Sequence, residues 1–226
     1  MASPSRPGER PLRRHDLIFV SPASWRALLA TRADLAAEPL VAGWVESGWP
    51  LIGRRPLPGE AQGVALGLPL PPSAGKRRLS VLMQPADIAL TAPPPTLGSA
   101  APTAPRAWWP VLDGLAKIAS RHGLDARVFG SLAWQTLTGL DYLTERSDLD
   151  MLLHVHRHTD LRRLVLELAA IEVTAPMRLD GELIRDDGAA VNWRELHADA
   201  RKVLVKTIRG VTLLDTSLFA LGGQPS

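Results

Sequence analysis

Two aspartates, Asp148 and Asp150, flank a single leucine at the entrance to an apolar run, SDLDMLLHV. On a β-strand, residues i and i+2 point the same way, about 6–7 Å apart. The two carboxylates would then share one face, while Leu149, Met151, Leu153 and Val155 make the other face wholly apolar. Like charges this close repel unless one is protonated or a cation lies between them. A hard divalent cation with oxygen ligands, such as Mg²⁺, resolves the conflict and would coordinate a ligand's phosphates as well. The plainer alternative makes Ser147-Asp148 a turn and leaves Asp150 as a solvated strand end.

Upstream, Gly130-Ser131 follows an apolar stretch and opens a helical one. Free N–H groups at a helix start, with the helix dipole, favour a phosphate. Glycine lets phosphate oxygens approach the backbone, and a serine hydroxyl adds a donor. Ordinary helix capping explains the same pair. Downstream, Asp180 in MRLDGELI offers a third carboxylate, with Glu182 beyond Gly181. A strand carrying Asp180 beside 149–155 would complete the three-carboxylate set that two-metal phosphoryl transfer uses. Asp180-Gly181 is equally the dipeptide of a hairpin turn.

The elements that must position these groups are readable from periodicity. Residues 105–122 have helical spacing through Trp108, Val111, Leu112, Leu115 and Ile118, with Gly123 placed to end the helix. Ala126–Phe129 reads as a strand. Ser131 is expected to cap a helix reaching Thr138, ended by Gly139. Leu149–Val155 is a strand, and Thr159 is expected to cap a helix through Ala170. Val173–Leu179 and Glu182–Asp186 read as two strands around Asp180-Gly181. Ala189–Trp193 and Lys202–Ile208 add further strands. The result is an α+β domain over 106–220, a mixed sheet with flanking helices.

The first part of the chain is different. Eighteen of the 20 prolines lie in residues 1–110. Residues 1–12 are expected to be a flexible terminus, 13–91 a smaller, mainly β domain, and 92–105 (APPPTLGSAAPTAP) a linker or surface loop. Leu17–Val20, Leu40–Val45 and Trp49–Arg54 read as strands, Ser24–Ala37 as a helix, and LSVLMQPADIAL as a strand followed by a turn.

Composition excludes several classes. There are no cysteines, hence no disulfide or thiolate chemistry, which fits a reducing compartment. No apolar run has the length of a membrane helix, and MASPSRPGERPLRRHD leads into too short an apolar piece for a signal peptide. A cytoplasmic protein is expected. Residues 1–110 hold 12 basic against 7 acidic side chains, and 111–226 hold 14 against 16. The basic half suits an anionic ligand, an acidic partner or simply a solvated surface. His154, His156 and His158 have no companions at zinc spacing. The tryptophans at 108, 109 and 134 sit on helices, where packing is their default, and nothing else argues for nucleic acid.

The order Gly-Ser at a helix start, Asp-x-Asp entering a strand, then a later strand carboxylate resembles the polymerase-β-like nucleotidyltransferase superfamily over about residues 126–183. Sixteen residues separate Ser131 from Asp148, more than most members have. With that interval, GSLAWQTLTGLDYLTERSDLDMLLHV resembles the malonate decarboxylase holo-acyl-carrier-protein synthases, or phosphoribosyl-dephospho-CoA transferases (MdcG family). The likeness extends through RLDGELIRDDGAAVNWREL and, more loosely, into RRHDLIFV and WPLIGRRPLPG.

The resemblance implies transfer of phosphoribosyl-dephospho-CoA from 2′-(5″-triphosphoribosyl)-3′-dephospho-CoA to a serine of the apo acyl-carrier subunit of malonate decarboxylase, with release of diphosphate. Asp148 and Asp150 would hold Mg²⁺, and Asp180 would complete the metal site or help deprotonate the serine. Gly130 and Ser131 would bind the departing diphosphate. Arg54, Arg55, Lys76, Arg77 and Arg78 are candidates for the donor phosphates or an acidic carrier, against a solvated basic surface. Arg178 can share the face of Asp180 and pair with carboxylates or a phosphate. Two other readings stand beside this one: a generic NTP-dependent nucleotidyltransferase, and a non-catalytic carrier-binding module.

Overall fold

The computed structural model describes residues 12–60 and 62–221. The chain divides into two compact units, Met1–Pro94 and Pro95–Ser226. Within the described residues each unit combines a sheet with helices, and the architecture is α+β. No helix among them is long and apolar enough to cross a membrane.

The first unit runs β1 (Leu17–Val20), α1 (Pro22–Thr31), α2 (Ala33–Ala36), α3 (Pro39–Ala42), β2 (Leu51–Gly53), β3 (Val64–Pro69), β4 (Arg78–Met83) and β5 (Ile88–Ala92). Its strands form an antiparallel sheet in the order β4-β3-β2-β1-β5. Ile18, Leu51, Leu66 and Val81 are buried, as are Trp25 and Trp44. Each buried indole is satisfied: Trp25 Nε1 donates to the Val41 carbonyl (3.1 Å) and Trp44 Nε1 to that of Pro50 (2.9 Å).

Three sequence expectations change here. The helix over Ser24–Ala37 is broken in two at Arg32, and its cap is Ser21, whose side chain accepts from the Ser24 N–H. Leu40–Val45 is no strand: Pro39 starts the short helix α3, and a brief apolar run does not distinguish helix from strand. The strand β3 was not anticipated.

The second unit runs α4 (Leu97–Ala100), α5 (Trp109–His122), β6 (Asp125–Val128), α6 (Gly130–Thr138), β7 (Leu149–His154), α7 (Leu161–Glu172), β8 (Leu179–Ile184), β9 (Ala190–Asn192), α8 (Trp193–His197), β10 (Lys202–Lys206), β11 (Val211–Asp215) and α9 (Thr216–Leu221). The sheet order is β11-β10-β9-β8-β7-β6. Among the described residues only β7 and β8 pair in parallel, joined by the crossover helix α7. The other pairs are antiparallel.

One face of this sheet faces helices. Leu149, Met151 and Leu153 of β7, Leu179 and Leu183 of β8, and Val203 and Val205 of β10 join α5 and α7 side chains in one core. Strand alternation sends Asp150, Asp180 and their neighbours to the other face.

The Pro/Ala-rich stretch 92–105 is more than a spacer. Thr96 caps α4, and Leu97, Ala100 and Ala104 are buried in the second unit's core. Leu179–Ile184 is a single strand, so Asp180-Gly181 is not a turn. Gly181 is needed for packing instead: a Cβ there would lie 2.8 Å from Met151 Cε and from Trp193 Cδ1. The cap of α7 is Asp160, which accepts from the Arg163 N–H (3.0 Å). Thr159, the expected cap, accepts from His156 N–H instead.

Candidate active site

The site is assembled on the second unit's sheet face opposite α5 and α7, beside the start of α6. The parallel register aligns Asp150 with Asp180, and the backbone N–H of Leu149 donates to the Arg178 carbonyl (2.9 Å). Asp148 lies two residues before Asp150, and Arg178 two before Asp180. The four side chains therefore form two adjacent rows on one face.

Arg178 closes the outer row. Its Nε and Nη2 donate to Oδ2 of Asp148 at 3.1 and 2.7 Å, and Nη2 is 3.9 Å from Oδ2 of Asp180. The guanidinium is held above its ordinary pKa by the hydrogen bond to Asp148 first, then by that carboxylate's charge, with Asp180 and Asp150 adding to it. Arg178 thus sits in the field of all three carboxylates. Its side chain remains 59% exposed, so the pairing itself contributes little stability.

Asp180 is oriented from β9. Nδ2 of Asn192 donates to its Oδ1 at 2.9 Å, while Oδ1 of Asn192 accepts from the N–H of Arg194 as the cap of α8. The capping bond fixes which end of the amide faces the aspartate. The start of β8 is tied down as well. Glu172 accepts from the Leu179 N–H (2.9 Å) and pairs with Arg194, whose Nη2 and the Trp193 Nε1 both donate to the Leu179 carbonyl (3.1 Å each).

Asp150 meets α6. Gly130 has φ +61°, and a Cβ built on it would stand 1.8 Å from Oδ2 of Asp150. The carboxylate thus occupies space that only glycine leaves open. The Phe129 N–H donates to the Asp150 carbonyl (3.0 Å), fixing the helix start to the strand. The first turn of α6 has no side-chain cap: its N-cap is Phe129, and Ser131, expected as the cap, lies inside the helix.

The long interval before Asp148 is pinned to α6. Oε1 of Gln135 accepts from the N–H groups of Tyr142 and Leu143 (3.2 and 3.0 Å), and Tyr142 packs on Trp134 with ring centroids 6.3 Å apart. Burial pushes the Tyr142 phenol well up. A turn follows, in which Ser147 Oγ accepts from the Thr144 N–H. This folded loop delivers Asp148 to the strand mouth.

Among the described residues no three His, Asp or Glu side chains are already closed around a common point. Asp148 is turned to Arg178 and Asp180 to Asn192. The donor set still fits a hard divalent cation in kind: three carboxylates on neighbouring strand positions, with an arginine as their counter-charge. The histidines gather elsewhere. His156 and His158 stack at 5.5 Å, and His156 Nδ1 is 3.9 Å from Asp186.

The basic candidates Arg54, Arg55, Lys76, Arg77 and Arg78 belong to the first unit. Arg54 forms a two-pronged pair with Glu60 (2.7 and 2.6 Å) and donates to the Leu66 carbonyl; hydrogen bonds from Arg54, then Leu57, draw Glu60 down to about 2. Arg77 pairs with Glu38, and Arg55 and Arg78 are exposed. Lys76 has φ +52° in a tight turn. Gly130, Ser131, Asp148, Asp150, Arg178 and Asp180 belong to the second unit. Sequence reasoning did not find Asn192, Glu172 or Arg194, because their roles arise from strand pairing and not from local spacing.

Comparison with known proteins gives the family. Residues 13–94 match the phosphoribosyl-dephospho-CoA transferase MdcG N-terminal domain, and residues 96–217 the C-terminal domain of the same family. A phosphoribosyl-dephospho-CoA transferase of Bradyrhizobium diazoefficiens is 58% identical over 226 residues, covering all of both chains. Another, of Xanthomonas euvesicatoria pv. vesicatoria, is 41% identical over 89% of this chain and 93% of that one, and one of Pseudomonas putida is 34% identical with the same coverage. No solved structure gives a significant match. With both family domains present in order and a relative aligned end to end, the chain belongs to the MdcG family of phosphoribosyl-dephospho-CoA transferases and is a transferase enzyme.

Proposed function

We propose that this chain transfers the phosphoribosyl-dephospho-CoA group from triphosphoribosyl-dephospho-CoA to a serine of the apo acyl-carrier subunit of malonate decarboxylase, releasing diphosphate. The observation that carries the reading is the alignment of Asp148, Asp150, Asp180 and Arg178 on two parallel strands, with Gly130 opened against Asp150. Such a face suits nucleophilic displacement at phosphorus better than acyl or redox chemistry. It offers carboxylates and a guanidinium, with no cysteine anywhere in the chain.

In this reading Asp148 and Asp150 hold Mg²⁺, with Asp180 as third ligand or as base. Bound there, the ion neutralises the triphosphate and the charge that develops on the leaving diphosphate. The serine Oγ forms a bond to the phosphorus attached to the ribose. The bond from that phosphorus to the diphosphate breaks, and the diphosphate takes the electron pair. The serine proton passes to a carboxylate, for which Asp180, oriented by Asn192, is the candidate. Gly130 and Ser131, at the start of α6, bind the diphosphate through backbone N–H groups. Arg178 leaves Asp148 and pairs with a phosphate oxygen.

Mass spectrometry of the apo carrier subunit after incubation with this protein, the donor and Mg²⁺ tests the reading. The expected result is a mass gain equal to one phosphoribosyl-dephospho-CoA group on a serine. Diphosphate release from ATP, with an unmodified carrier, would reject it in favour of a nucleotidyltransferase using ordinary NTPs.

A further inference from the structure

The sheet face that carries the aspartates continues across the domain to an exposed apolar patch. Strand register traces the path. Leu152 aligns with Glu182, Glu182 with Asn192, Ala190 with Lys206, and Leu204 with Leu213. Cross-strand partners point to the same face. Leu204, Val211 and Leu213 therefore share the face of Asp150 and Asp180. They are 39%, 42% and 57% exposed, while Val203 and Val205 of the same hairpin are buried on the helix side. Three exposed apolar side chains gathered on one sheet face make a candidate interaction surface.

Its rim is basic. Arg201, Lys202 and Arg209 are exposed, and Lys206 pairs with Glu182 (3.1 Å). Within 201–215 Asp215, opposite Lys202, is the one acidic side chain. From outside the hairpin Glu195 accepts from the Leu204 N–H (2.7 Å), and Arg201, Lys202 and Arg209 are the exposed charges of the hairpin. A second copy of this chain placed on the patch by a twofold axis would bring together two hairpins of the same net positive sign. An acidic protein surface with apolar side chains at its centre meets both features.

We infer that the β10–β11 hairpin is the docking surface for the acidic protein that accepts the transferred group. The inference rests on the carrier-modification reading above and adds where the acceptor sits. The scale agrees. β10 lies three strand spacings from β7, roughly 14 Å, and β11 roughly 19 Å. An interface of ordinary size, about 800 Å² on each partner, is roughly 30 Å across. A partner seated on Leu204 and Leu213 thus reaches the aspartates with one side of the same contact. Leu204 and Leu213 set affinity and the basic rim sets the approach rate.

The test uses the full chain and the apo carrier subunit of malonate decarboxylase. Two double variants are compared with wild type, L204E/L213E and K202E/R209E, each with a melting curve to confirm folding. The charge variant changes only exposed side chains, so it covers the case in which the leucine variant unfolds. The expected result is a KM for the carrier raised about tenfold or more in both, with kcat and the KM for the donor held. Wild-type transfer with an unchanged carrier KM in the folded variants overturns the docking surface alone. Self-association of wild type that the variants abolish, with carrier KM unchanged, also overturns it and assigns the patch to a second copy. No transfer by wild type overturns the functional reading, and this inference with it.

Discussion

The carboxylate of Asp150 fills the space a side chain on Gly130 would need: Oδ2 lies 1.8 Å from the position of that missing Cβ. Backbone and space agree, since φ at Gly130 is +61°, where L-residues are strained by about 1–2 kcal/mol. Gly130→Ala must displace either the helix start or the aspartate. The expected outcome is a lower melting temperature together with at least a hundredfold fall in transfer, taking about 3 kcal/mol of lost transition-state stabilisation. Normal transfer by this variant would show that Asp150 is free to move.

Asp148→Asn and Asp150→Asn remove charge while keeping shape. Each is expected to lower transfer by about a hundredfold or more and to weaken Mn²⁺ binding, read by calorimetry, by at least about tenfold. Unfolding by denaturant checks that the fold survives. If both variants transfer at the normal rate, the metal assignment fails.

Asn192 is the predicted positioning residue for Asp180. Asn192→Ala is expected to lower kcat by about 10–100-fold with little change in donor KM. Asn192→Asp separates orientation from mere packing. It sets a second carboxylate where the amide lies 2.9 Å from Asp180, which favours the protonated form of the pair. The acid limb of the pH–rate profile should then move to higher pH. A purely structural role would leave that limb in place.

Glu172 links stability to pH. Burial raises its pKa, but hydrogen bonds from Arg194 and the Leu179 N–H overcome this, and the folded value lies below the ordinary 4.5. A depressed folded pKa contributes stability above the unfolded value, and the contribution is lost as pH falls through the folded one. Glu172→Gln is therefore expected to cost about 1–2 kcal/mol near neutral pH. The gap between the two proteins in denaturant melts should narrow below about pH 4. A gap independent of pH would assign the loss to packing.

Arg178→Gln tests the outer row. The guanidinium pairs with Asp148, and under the proposed function it turns to the donor phosphates. Donor KM is expected to rise roughly tenfold or more, the value of a charged hydrogen bond. Mn²⁺ should bind more tightly without donor, because its competitor for Asp148 is gone. A donor KM equal to wild type would remove Arg178 from substrate binding.

What could be read from sequence was what is encoded locally. Gly123 and Gly139 end their helices at φ +65° and +72°, as their positions after apolar-periodic segments indicate. The two-residue alternation of β7 separates Asp150 from Leu149 and Met151 without any partner strand. The direction of β8 was not encoded locally. Asp180-Gly181 has turn chemistry, and only the Trp193 ring and Met151 against Gly181 explain a glycine inside a strand. Leu40–Val45 failed for a similar reason, because apolar content alone does not choose between helix and strand. Asn192, Glu172 and Arg194 act across chain separations of 12, 7 and 15 residues on Asp180 and Leu179. No spacing rule connects them.

One strand, β7, supplies the packed core through Leu149 and Met151 and, in the proposed reaction, a metal ligand through Asp150. A slip of one residue against β8 would exchange the two faces. Asp150 would be driven among leucines and Leu149 turned out to the face that carries Asp180. Burying an unpaired carboxylate costs several kcal/mol, a large part of a domain's whole stability. Misaligned copies would thus be expelled by their own charge before they could persist. The aspartate assigned to the proposed reaction also proofreads the register of the sheet that holds it.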